Sequence, residues 1–248
     1  MSAVAMWLLL TGVLGLPSGP PQPAASADVF IRSLPPEQKS ELIESYVASA
    51  WAFSKILKFR RAPAIYLSCP DKGCDPVAAG ILENLRAQAP KALGEQTADK
   101  DAAQIEIYLA PQSEAFDKRD REIDRKLHLD SNITARKLLF PEPAQDAPCW
   151  TTSYFDNGTG VIEKALVFID SDASPRMQYL CMGYETVRAA GVMNIESVYF
   201  YRNDEKRLFA DPAQWLAANA YLHGLPDIKA GDTMAKARSA LEDRYGLK

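Results

Sequence analysis

The stretch that most constrains this chain is Arg176 to Asn194, RMQYLCMGYETVRAAGVMN. Met177, Leu180, Cys181, Tyr184 and Val187 fall at steps of three and four, which predicts one apolar stripe on a helix. Ser174 is a candidate N-cap, with Pro175 in the first turn, where a missing N–H costs nothing. Gly191 follows the last turn, where glycine takes a cap conformation that a Cβ would hinder. Three readings of Glu185 are open at this level. It is a carboxylate in a cleft, serving as acid, base or ligand anchor. It is a helix glutamate paired with Arg188 at i, i+3, worth a few tenths of a kcal/mol. Or it is a buried acid that ties the helix to a sheet.

Composition narrows the class. The 248 residues are 47% hydrophobic and 24% charged, enough for one sizeable core. A net charge of −4 argues against nucleic acid as a partner, since phosphate-binding domains carry a basic excess. The compact basic cluster Lys58 to Arg61 reads as a solvated edge beside a strand. The first 27 residues stand apart. An apolar run over residues 4–16 leads into a Pro- and Ser-rich stretch and then Ala25-Ser26-Ala27, the pattern of a secretory signal with its cleavage site, although no basic residue precedes the run. The run is shorter than the ~20 residues that span a bilayer. The expectation is a 1–27 signal peptide, then a single 28–248 domain, periplasmic or secreted, with no membrane span after cleavage.

Four cysteines suit that compartment, and disulfides are the expectation for an even number in an exported chain. Cys69 and Cys74 share a turn-rich loop, SCPDKGC, short enough to bridge, which leaves Cys149 for Cys181 on the key helix. Two other pairings exist in principle. A zinc site is the competing reading, but C-x4-C with two distant cysteines is poor ligand spacing.

Taken in order, a helix entered at Leu34-Pro35-Pro36 with Ser33 as candidate cap carries an apolar face as far as Leu57, within residues 28–59. Strands are expected at Pro63–Ser68 and Gln104–Leu109, with a helix at Asp75–Ala89 between them. Glu114–Lys137 reads as a solvated helix or two. Trp150–Phe155 and Val161–Ile169 form a hairpin about Asp156-Asn157-Gly158, the second run apolar enough to be central. After the key helix come an aromatic run at Ser197–Asp204 and helices from Asp211 and Asp232, a helical C-terminal part over 195–248. Strands separated by helices predict an α+β fold, a mixed sheet with backing helices.

Within the key helix, Tyr184 to Asn194 reads Y-E-x-x-R-x-x-G-x-x-N, which resembles the metzincin zinc-protease motif H-E-x-x-H-x-x-G-x-x-H. Glu185 and Gly191 match; Tyr184, Arg188 and Asn194 stand where the three histidine ligands would be. The order of elements also resembles the upper domain of zincins. More closely, the chain is similar to a bacterial exported family, the domain of unknown function 2927, through Cys181, Glu185, Gly191, Asp211 and Tyr221-Leu222, over roughly Arg60 to Arg238. It departs from that family at Arg188, where a side-chain amide is usual, and at Asn194-Ile195-Glu196. The resemblance implies a zincin-like scaffold with a degenerate active-site helix.

A catalytic zinc needs about three protein ligands. The chain has two histidines, His128 and His223, with no histidine neighbour on a helix turn, and a guanidinium stays protonated. No metal and no cofactor are expected. No G-x-S-x-G elbow or phosphate loop is present. The leading expectation is a binding or scaffold module, a metal-free pseudoenzyme whose cleft beside Tyr184–Arg188 holds a peptide or envelope protein against the sheet's edge strand. The alternative is a hydrolase using Glu185 with a non-histidine site.

Overall fold

The run from Ala165 to Ile169 is apolar at every position, and all five side chains have 0% exposure. A strand apolar on both faces must have layers on both faces, and the computed structural model shows this. It describes residues 26–70, 73–111, 114–129, 132–140, 147–195 and 212–247. Strand β7 (Ile162–Asp170) is the middle of a five-stranded sheet with order β3-β4-β7-β6-β5. Here β3 is Ile65–Ser68, β4 Ile105–Ala110, β5 Ile133–Phe140 and β6 Cys149–Asp156. β3, β4 and β7 run parallel, and β6 is antiparallel to β7 and to β5, so the sheet is mixed.

On one face lie α3 (Pro76–Gln88) and α5 (Pro175–Ala190), which packs against β4, β6 and β7. Behind and beside them are α1 (Ala27–Ser33), α2 (Pro36–Ala50), α6 (Pro212–Gly224) and α7 (Met234–Tyr245). Ile105, Ile107, Val167, Ile169 and Phe155 meet this helical layer in the main core. The other face carries α4 (Glu114–Leu127), over a smaller aromatic core of Phe116, Trp150, Tyr154 and Phe168. The α+β expectation holds, with seven helices among the described residues. None of them is long and apolar enough to cross a membrane.

Local chemistry explains most boundaries. Ser174 caps α5 by accepting from Met177 N, and Asp75 caps α3 by accepting from Val77 N and Ala78 N. Three boundaries differ from expectation. Ser33 ends α1 rather than capping the next helix; Ser26 caps α1, and α2 starts at Pro36 with no side-chain cap. Helix α2 stops at Ala50, where a hairpin follows, β1 (Trp51–Ala52) and β2 (Lys55–Ile56). Tertiary hydrogen bonds override the helical spacing there: Asn194 Nδ2 donates to Trp51 O at 3.0 Å, and Ile56 N donates to Asp232 O at 2.8 Å. The third is β5, expected as helix, which pairs with β6 from Ile133↔Asp156 to Phe140↔Cys149. Residues 1–25 of the expected signal peptide, the Ser197–Asp204 run and Asp211 lie outside the described residues.

Both expected disulfides are formed, Cys69–Cys74 and Cys149–Cys181. The first closes the loop from β3 into α3, with Cys69 exposed. The second joins the first residue of β6 to α5, with both cysteines at 0% exposure. Reductant under native conditions is therefore expected to open Cys69 and Cys74 to alkylation and leave Cys149 and Cys181 protected, as read by peptide mapping. Replacing the inner pair (Cys149→Ser with Cys181→Ser) should lower the urea-unfolding free energy by about 3–4 kcal/mol, the loop-entropy value for such a closure.

Candidate functional site

Helix α5 brings the motif residues to the face of the sheet, and it brings them inside. Tyr184 is 1% exposed, and Glu185 and Arg188 are both 0% exposed. The helix is covered by the sheet on one side and by α3 and α6 on others. At Gly183 an added Cβ would stand 2.8 Å from the Ile81 and Leu216 side chains, so these helices approach at glycine range.

Groups of different origin meet the Glu185 carboxylate. Thr151 Oγ1, on β6, donates to Glu185 Oε2 at 2.5 Å. Arg188 Nη1 donates to Glu185 Oε1 at 3.0 Å and reaches Leu139 O of β5 at 3.3 Å. One turn of helix is thereby tied to two strands. Of the three readings of Glu185, this geometry is that of the buried acid joining helix to sheet, combined with the Arg188 pair. The pair differs from the solvated one in energy as well as place. A surface i, i+3 pair is worth a few tenths of a kcal/mol, whereas a charge stranded by loss of its buried partner costs several.

Gly191 and Asn194 complete the stretch. Gly191 has φ of 126°, and an added Cβ would lie 2.2 Å from Leu57 O and 2.6 Å from His223 Nε2. Glycine is required there twice over, by backbone conformation and by contact. The turn it permits sends Asn194 away from Glu185 and towards the β1–β2 hairpin, where its amide takes the Trp51 carbonyl and its backbone N donates to Ser49 O at 2.8 Å.

These side chains do not fit a zinc site. A buried phenol, a guanidinium paired to the would-be base, and an amide spent on a backbone carbonyl cannot act as three ligands. Among the described residues no three His, Cys, Asp or Glu side chains gather at metal-binding spacing. His128 is exposed at the end of α4, beside Asp124 at 3.0 Å. His223 is buried, with Tyr46 Oη and His223 Nδ1 at 3.1 Å. Burial pulls the His223 pKa down to about 3 and the nearby Lys58 charge adds to this, opposed only in part by the Ala190 and Leu57 carbonyls.

Residues not singled out from the sequence form a second buried ionic centre on the opposite face. Glu106 of β4 is 0% exposed and accepts from Arg119 at 2.7 and 3.0 Å and from Tyr108 Oη at 2.6 Å, with Lys164 Nζ at 2.5 Å. Burial would raise its pKa, but these donors outweigh it and hold the carboxyl below its ordinary value. The centre anchors α4 to the sheet. Its only sequence trace is an acid at an alternating strand position. The basic cluster also divides. Lys58 Nζ donates to Leu225 O and Ile228 O at 2.9 and 2.8 Å, while Arg60 stays exposed, 3.9 Å from Glu163. Burial takes the Lys58 pKa down to about 8.

Two adjoining depressions lie near the starts of β4 and β7. One of about 230 Å³ is lined by Phe59, Arg60, Arg61 and Val161, and one of about 170 Å³ by Arg119, Lys126 and Leu127; Gln104 and Glu163 line both. Each is below the ~300 Å³ at which small-molecule pockets begin. The edge of the sheet at β5 has no strand on its outer side among the described residues. Comparison with known protein families, with curated proteins and with solved structures finds no match.

Two measurements follow from the buried groups. Glu185→Gln should cost about 3–5 kcal/mol in urea unfolding, because the buried Glu185–Arg188 ion pair is broken, and Glu185→Gln with Arg188→Met should recover much of that loss. For His223 the folded-state pKa of about 3 lies below the ordinary 6.5, so the unfolded chain takes up the proton first. Its contribution is complete above pH 6.5 and is lost as pH falls towards 3. Stability by urea titration should drop by about 2 kcal/mol between pH 7 and pH 5, a window above the usual carboxylate range.

Proposed function

We propose that this chain is an exported, disulfide-stapled domain on a zincin-like frame without metal, and that it acts as a binding or scaffold module. Its ligand is an extended peptide or an extended segment of an envelope protein, added as a strand along the outer side of β5. The observation that carries this reading is the division of labour around α5. The ionisable groups of the motif are spent on holding the helix, while a strand of eight residues ends the sheet with no further strand beside it among the described residues. Main-chain hydrogen bonding to such an edge is a standard mode of peptide capture.

Two internal disulfides support export, because such bonds persist in oxidising compartments. The resemblance to the domain of unknown function 2927 family and to zincins supports the frame: a mixed sheet with the motif helix laid across it and a glycine turn at its end. The hydrolase alternative finds no support in Glu185, since a carboxylate with 0% exposure offers no path for water or substrate. The fold therefore has use as a surface rather than as a reaction vessel.

Hydrogen exchange tests this on the purified protein. A soluble extended octapeptide with a Thr- and Val-rich body should slow exchange of backbone amides in Ile133–Phe140, and its twin N-methylated at alternate residues should not. No protection of β5 by any extended peptide would remove the reading. So would peptide cleavage that disappears in a Glu185→Gln protein shown to be folded.

A further inference from the structure

Strand β5 differs from a shielded edge in how its two central charges are held. Arg136 and Lys137 are consecutive, so they project to opposite faces of the sheet. Both are exposed. The Arg136 guanidinium lies 4.8 Å from the centre of the Phe53 ring, on the α5 side. Lys137 Nζ lies 4.1 Å from the centre of the Trp150 ring, on the α4 side. Neither has an ion-pair partner among the described residues. What sets the two apart from a solvated lysine or arginine is that each rests on an aromatic ring, one on either face of the same edge strand.

The ring under Arg136 is held there against backbone preference. Phe53 and Ser54 form the two-residue turn of the β1–β2 hairpin with φ of 53° and 66°, positions where asparagine and glycine are usual. A bulky residue at positive φ is a strained conformation that persists only where its surroundings enforce it. Here Asn194 holds Trp51, and Phe155 meets the Phe53 ring at 5.1 Å between centroids. The strain fixes Phe53, 39% exposed, as a platform that spreads Arg136 beside the strand rather than letting it range through solvent. A cation resting on an aromatic face loses little further freedom when it meets an anion.

Resting on the proposal that β5 takes an extended peptide, we infer that the peptide is acidic, with two consecutive Asp or Glu residues aligned on Arg136 and Lys137. Residues directly opposite across a strand pair stand about 5 Å apart, within reach of a carboxylate–cation contact. Consecutive residues of the incoming strand face opposite sides, so one acid meets Arg136 and the next meets Lys137. The chain's overall charge of −4 does not prevent this. Beyond about 8 Å, at physiological ionic strength, the remaining charges are screened, and the local cations decide.

Three octapeptides of the same Thr- and Val-rich body, with Glu-Glu, Gln-Gln or Lys-Lys at the centre, separate this inference from the reading it rests on. Binding is followed by fluorescence anisotropy and by protection of the β5 amides. The Glu-Glu peptide should bind about tenfold more tightly than the Lys-Lys peptide, the gap closing as salt is raised. Arg136→Glu with Lys137→Glu should reverse the order. If that variant fails to fold, the salt series on the unaltered protein still decides. Equal protection of β5 by all three peptides would overturn the acidic preference and leave the edge site standing. Protection by none of them would overturn both.

Discussion

A carboxylate with no access to water governs this structure. Glu185 sits between a helix and a sheet, and it is tolerable there because Thr151 and Arg188 supply its hydrogen bonds from both sides. Arg188 in turn reaches the carbonyl of Leu139 in the edge strand, so the position of β5 is coupled to the helix through one guanidinium. The Cys149–Cys181 bridge crosses the same junction covalently. Apolar burial holds α5 on the sheet. The ion pair and the bridge fix which turn of the helix faces which strand, a matter of register to which non-directional hydrophobic contact is nearly indifferent.

The opposite face solves the same problem with other means. Glu106 is as deeply buried as Glu185, but its cations arrive from α4 and β7, and no disulfide backs them. Helix α4 rests on a small aromatic cluster and carries many charges on its outer side. Its attachment thus depends on one carboxylate to a greater degree than α5 does. In order of local stability, α5 belongs with the core and α4 with the elements that open first. The edge strand lies between the two regimes, with Arg136 leaning on the α5 side and Lys137 on the α4 side.

Much of the frame was legible in the residues because local and tertiary signals agree there. The central strand, the hairpin into it, the Ser174 and Asp75 caps and the two cysteine pairs each follow from short-range chemistry, and each stands in the fold. The pieces that misled are those where the two signals part. The charge-rich run Glu114–Lys137 carries Ile123, Leu127 and Ile133 at roughly helical intervals, yet from Ile133 onward the chain leaves the helix and pairs with β6. Pairing decides, and pairing is not visible locally. The end of α2 is similar, since the hydrogen bonds that stop it come from Asn194 and Asp232, far along the chain. Phe53-Ser54 as a two-residue turn contradicts every local preference, so no reading of the sequence would place it.

The motif itself shows why a catalytic pattern and a packing pattern can be written in the same letters. In a helix laid on a sheet, an acid followed three residues later by a base spans one turn, and this is the spacing that lets both reach the same strands. A glycine three residues further is where the helix must end, because Leu57 and His223 occupy the space a side chain would need. The next position in the pattern, Asn194, leaves the helix and anchors a hairpin. Glu185, Arg188, Gly191 and Asn194 each have a mechanical reason that requires no metal. The contacts that set the shape here are made by Glu185, Arg188, Gly191 and the cysteine beneath them.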